Sequence, residues 1–140
     1  MTVTPAISRR DFRSLIFHFL YAMESYDYTI SLQELITTYN REFDLDIPLD
    51  GEIFTTVNAV VNLRAELDKK IEPLLDNWRI ERLGTCTLLV LRLAIWEFLY
   101  TDTPSTIIIN EGIELAKCFS ERDAYKFVNG ILDEGAKKLR

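Results

Sequence analysis

Histidine is almost missing from this 140-residue chain: His18 stands alone, and there are only two cysteines, Cys86 and Cys118. A structural zinc site needs four His and Cys ligands at short spacings, so that chemistry is excluded. Two cysteines make no disulfide framework. One bridge stays open, with reduced, buried thiols as the expected state. Glycine (5) and proline (4) are scarce, which excludes collagen-like and low-complexity classes and argues against a turn-rich all-β fold. Long uncharged apolar runs are missing too. The longest, Leu88 to Tyr100, is interrupted by Arg92 and Glu97 and is shorter than the ~20 residues of a membrane span. No basic segment followed by an apolar stretch opens the chain, so no secretory signal is expected, and a cytoplasmic, reducing setting without membrane contact is. There is no glycine-rich phosphate loop. No nucleophile, base and orienter can be assembled, so the chain is not expected to be an enzyme or to carry a cofactor. His18, beside Phe17, Phe19 and Leu20, reads as a packed or hydrogen-bonded side chain.

What is present is apolar content and localised charge. Hydrophobic residues make up 48% of the chain and charged ones 27%, enough for one compact core and too apolar for disorder. The net charge is −6, which taken globally disfavours nucleic acid. Its distribution matters more. Residues 24–52 hold eight acidic side chains against one basic, Arg41, and so carry −7, while the remainder carries +1. Arg9, Arg10 and Arg13 form a small basic cluster near the start.

Apolar spacing then sets the fold class. Ser8 with Asp11, and Ser31 with Glu34, carry the capping signature of helix starts. Phe12, Leu15, Ile16, Phe19, Leu20 and Met23 recur at helical spacing after the first. Asp44 to Gly51 reads as a loop. Ile53 to Ile71 reads as one long helix ended by Pro73. Leu83 to Tyr100 is apolar nearly all round, as a central buried helix is. Ile107 to Cys118 gives another helix, despite the β-branched run at its start, and Ser120 with Asp123 is expected to cap a last one. These elements predict an all-α bundle of about six or seven helices, with residues 1–7 a loose tail and 8–140 a single domain.

The second half carries a resemblance. Leu91-Arg92-Leu93-Ala94-Ile95-Trp96-Glu97 is followed by Pro104, by Ile109-Asn110-Glu111-Gly112-Ile113-Glu114-Leu115-Ala116-Lys117, and by Lys126-Phe127-Val128-Asn129-Gly130-Ile131-Leu132-Asp133. Upstream, Leu67-Asp68, Trp78, Glu81 and Arg82-Leu83 fit the same pattern, as do Arg9, Arg10 and Arg13. Together these blocks resemble the bacterial transcription antitermination factor NusB family over about residues 8–135, most weakly across 24–52.

The resemblance implies two packed helical subdomains. It implies binding of boxA-type single-stranded RNA together with NusE, a small-subunit ribosomal protein, and action on the elongating RNA polymerase complex, chiefly at ribosomal RNA operons. Its RNA-contacting positions map onto Arg9, Arg10, Arg13, Asp123, Lys126 and Phe127; Phe127 is equally consistent with core packing. The NusE-facing surface is expected at Trp78, Glu81, Arg82 and Leu88, with 81, 85 and 88 on one side of a helix. Arg92 in an apolar helix needs an acidic partner, for which Glu111 and Glu114 are the candidates. Gly130 inside a helix suggests a close helix contact.

Three departures stand out. Asp11 interrupts the arginine run, Val60 stands where the family tends to have Gly, and Thr87-Leu88 replaces an acidic–basic pair. An exposed Leu88 would favour a homodimer. The alternative function is a protein-interaction module, in ribosome assembly or self-association, with little RNA affinity of its own.

Overall fold

The computed structural model describes residues 8–140, and the tail expected at 1–7 lies outside them. Seven α-helices follow in order: α1 (Arg9–Ser25), α2 (Leu32–Phe43), α3 (Glu52–Asn62), α4 (Arg64–Ile71), α5 (Thr85–Tyr100), α6 (Ser105–Phe119) and α7 (Ala124–Leu139). Short 3₁₀ turns occupy Glu72–Leu74 and Ile80–Arg82, and no strand occurs among the described residues. The chain forms two compact units, divided after Val61. No helix among the described residues is long and apolar enough to cross a membrane.

In the first unit the two capping signatures work as expected. Ser8 Oγ accepts from the Asp11 N–H at 3.1 Å and Ser31 Oγ from the Glu34 N–H at 3.0 Å, satisfying donors that a helix start leaves open. α1 buries Ile16, Phe19, Leu20 and Met23 of the stripe its spacing predicts, together with Phe17, which lies outside that stripe, while Phe12 and Leu15 are half-buried. Phe19 meets Tyr39 of α2 edge-on, with ring centroids 5.0 Å apart, and Tyr39 in turn meets Phe43. α2 ends at Asp44 in the left-handed region (φ 51°), where the Leu45 N–H returns to the Asn40 carbonyl at 2.9 Å. The Asn40 side chain then grips the main chain of Ile47 twice. Its Nδ2 donates to the Ile47 carbonyl at 3.0 Å, and its Oδ1 accepts from the Ile47 N–H at 2.9 Å.

The single helix expected from Ile53 to Ile71 is in fact two. It breaks at Leu63, the residue before α4. Nothing in the local sequence announces this, because neither glycine nor proline stands there.

In the second unit α5 is the central helix. It buries nine residues around nearly its whole circumference and packs on α4, α6 and α7. Arg92 is among the nine. Its guanidinium forms a fork with Asp68 of α4, Nε to Oδ1 and Nη2 to Oδ2, both at 2.8 Å. The bidentate partner is Asp68, which was not among the partners proposed from sequence. Planar forks of this kind suit arginine far better than lysine.

Glycine placement also corrects the sequence reading. Gly130 is exposed, and a Cβ added there would meet nothing within 4 Å, so no close contact explains it. The close approach is at Gly112 on α6, where a Cβ would lie 2.7 Å from Leu132 Cδ1. Gly130→Ala is accordingly expected to raise stability by up to about 1 kcal/mol, by helix propensity alone. A urea melt of the variant checks it, and a destabilised protein would show that the position has a packing role.

The last helix starts differently from expectation. Ser120 closes α6, its N–H donating to the Ala116 carbonyl at 2.9 Å, and its buried Oγ has no partner. Asp123 takes a left-handed conformation (φ 68°) just before α7 and makes no side-chain cap bond. At the far end, the Arg140 guanidinium donates to the carbonyls of Phe98 (3.0 Å), Thr101 (2.7 Å), Glu97 (3.2 Å) and Thr103. Of these, Glu97 and Phe98 belong to the last turn of α5, where a helix leaves carbonyls open, and Thr101 and Thr103 follow it. Both cysteines are free, but neither is buried: Cys86 is half-buried and Cys118 exposed. Partial burial pushes the Cys86 thiol up from its ordinary pKa, which makes it a poorer nucleophile.

Candidate nucleic-acid interface

Three of the basic residues of the first unit, Arg9, Arg10 and Arg13, sit at the start of α1. Arg9 and Arg10 are exposed. Arg9 forks onto Glu52 at 3.0 and 3.2 Å and lies over the Phe12 ring, 4.6 Å from its centroid. Both partners are more than half exposed, at 60% and 57%. A pair of that kind is worth about 1 kcal/mol at most, so a phosphate can displace Glu52. Arg13 differs from its neighbours. It is only 5% exposed, on the inner face of α1. A guanidinium so covered serves packing and internal pairing and is badly placed for phosphate, so the exposed cluster is two arginines rather than three.

In the second unit the relevant side chains gather around the start of α7. Lys117 and Lys126 flank the Tyr125 ring, with Nζ at 5.0 and 6.0 Å from its centroid. Lys126 also lies 3.9 Å from Asp123, both side chains largely exposed. Phe127 is half-buried and meets Trp78 edge-on, with centroids 5.7 Å apart and planes at 67°. A cavity of about 180 Å³ opens beside this pair, lined in part by Trp78, Arg82, Gly84, Thr87, Glu121 and Phe127. A wider open groove of about 480 Å³ adjoins it, lined by Glu72, Trp78, Arg79, Ile80, Glu81 and Arg82.

The structure therefore brings together residues that sequence reasoning kept apart. Trp78 and Arg82, expected on a protein-facing surface, border the same cavity as Phe127, expected on RNA. Glu81 lines the neighbouring groove. Leu88 lines neither. The helical alignment of 81, 85 and 88 does not exist, because Glu81 lies in a 3₁₀ turn, Leu83 is extended (ψ 142°), and α5 begins only at Thr85. Leu88 is half-buried rather than exposed, and Thr87 is buried. Lys117, Arg79 and Glu121 were not singled out from sequence. The adjacent Trp78-Arg79 pair was the available signal for one of them.

Chemically this surface can attract phosphate and stack bases. No group of three or more metal-ligating side chains occurs among the described residues.

Comparison with known proteins identifies the family. Residues 10–137 match the NusB family. The transcription antitermination protein NusB of Macrococcus caseolyticus is 37% identical over 130 residues, covering 91% of this chain and 95% of that protein. Its counterpart from Staphylococcus epidermidis is 38% identical over 126 residues, covering 90% and 96%. Among solved structures, T. maritima NusB superposes with a TM-score of 0.81 at 30% identity, over 96% of this chain and 94% of that one. A chain in the crystal structure of a plectonemic RNA supercoil gives 0.75 at 28% identity, over 92% and 94%. An all-helical fold, matched over nearly its whole length in sequence and structure, places this chain in the NusB family of transcription antitermination proteins, which are not enzymes.

Proposed function

We propose that this protein binds boxA-type single-stranded RNA together with NusE and acts on the elongating RNA polymerase complex, chiefly at ribosomal RNA operons. The observation that carries the RNA part is the surface at the start of α7, where Lys117 and Lys126 flank Tyr125 and Phe127 meets Trp78. Cations beside rings that reach the surface, Trp78 most fully, are what an unpaired, flexible strand requires. The likeness to a chain crystallised with RNA supports the same reading. In this reading Arg9, Arg10, Lys126 and Phe127 contact RNA, and Asp123 positions Lys126 through their 3.9 Å pair. Trp78, Glu81, Arg82 and Leu88 are the residues offered to NusE, and residues 8–140 act as one functional domain in the cytoplasm.

Few cations are available, and Arg9 is already held by Glu52. Binding by the protein alone is therefore expected to be weak and to tighten when NusE is added. The slope of log K against log salt should be shallow, roughly −2 to −4. Titrating labelled boxA-type RNA at several salt concentrations, with and without NusE, tests this. No binding in either case would favour the alternative of a protein-interaction module, and tight binding unaffected by NusE would remove NusE from the scheme.

A further inference from the structure

We infer that Trp78 is a stacking platform for one unpaired base of the bound RNA, with the cavity beside Phe127 receiving that base's edge. The inference rests on the RNA reading above and moves Trp78 from the protein-facing set to the RNA-facing one.

Trp78 is 58% exposed, an unusual state for the side chain with the largest apolar area. Isolated exposed apolar residues are common, but an exposed tryptophan held in place by a second ring is a built feature. The edge-to-face contact with Phe127 occupies at most one face of one ring. Trp78 therefore keeps an indole face open, in keeping with its exposure. The adjoining cavity, about 180 Å³, is smaller than the roughly 300–1,000 Å³ of a small-molecule site. It suits the edge of a single ring system.

The polar groups at its rim are the kind a base edge needs. Glu121 supplies an acceptor and Arg82 donors. Arg79 and Arg82 border the wider groove on the other side of Trp78, where the phosphates flanking a stacked base would run. The central part of a protein–protein interface is depleted in charge. Here the ring is bordered by two arginines, Arg79 and Arg82, and three glutamates, Glu72, Glu81 and Glu121. So charged a rim argues against an apolar protein segment as the occupant, while its two guanidiniums can hold phosphates and its carboxylates can accept from base amino groups.

Fluorescence provides the test, because the chain has two tryptophans. In a Trp96→Phe background Trp78 is the only emitter. Titrating boxA-type RNA, in the presence of NusE once its own signal has been recorded, should quench that emission. RNAs carrying one abasic nucleotide at successive positions should reveal a single position whose loss restores emission. Trp78→Ala should weaken RNA affinity about tenfold, the equivalent of one stacked base, and Trp78→Phe should retain most of it. Melting temperature should stay unchanged, since the ring is exposed. If RNA binds but Trp78 emission and the Trp78→Ala affinity are unaffected, the inference fails while the RNA function stands. Quenching by NusE alone, with none on adding RNA, would return Trp78 to the protein interface. If wild-type protein binds no RNA under any condition, both readings fall together.

Discussion

Arg92→Ala is expected to lower the free energy of unfolding by about 3 kcal/mol. The Arg92 side chain is 11% exposed and that of Asp68 26%, so the substitution strands a carboxylate between α4 and α5. Asp68 retains some access to water, which keeps the loss at the lower end of the ~3–5 kcal/mol range for breaking a buried pair. The partner substitution Asp68→Ala should cost as much or more, because Arg92 is the more deeply covered of the two. Removing both charges at once, as Arg92→Ala with Asp68→Ala, should cost clearly less than the two single losses added together. Urea melts of the four proteins complete a double-mutant cycle. A cycle without coupling would mean that the fork at 2.8 Å does not hold α4 to α5.

The second large effect is functional. Arg10→Glu combined with Lys126→Glu is expected to weaken RNA binding by at least thirtyfold in moderate salt, while helicity and melting temperature stay within error. Each reversal replaces a phosphate attraction with a repulsion. Both side chains are exposed, where substitutions usually alter stability by less than about 0.5 kcal/mol. A fluorescence-anisotropy titration beside a thermal melt separates the two properties. Retained RNA binding would dismiss these two residues as RNA contacts, and a lowered melting temperature would show that one of these charges is structural.

Local signals were legible in this sequence, and long-range ones were not. The caps at Ser8 and Ser31 could be read because donor and acceptor lie three residues apart, within one helical turn. The all-round apolar character of α5 marked it as central for an equally direct reason. Asp68 was missed as the partner of Arg92 because 24 residues and a pair of 3₁₀ turns separate them, a distance no periodicity spans. The same turns defeated the alignment of Glu81 with Leu88. A 3₁₀ turn has no apolar stripe of its own, so the helix was extended through it on paper. Gly112 and Gly130 look alike in a string of letters, yet only Gly112 faces a neighbour, Leu132. Of the RNA-facing candidates, Arg13 could not be told from Arg9 and Arg10 until burial was known. The closeness of Trp78 to Phe127 depends on how α5 and α7 pack, which the motifs do not encode.

One small detail bears on how this chain can change. Asn40 holds the loop after α2 through the amide and carbonyl of Ile47, not through any neighbouring side chain. Apart from Ile47, which is buried, the residues from Asp44 to Asp50 are exposed, so their side chains do little to hold the loop's shape. A loop gripped by its main chain can exchange those side chains and remain in place. Carboxylates can accumulate at 44, 46 and 50 without a folding penalty. That would make this loop the stretch of the protein most open to drift, and the natural place to insert a reporter peptide or a new recognition sequence.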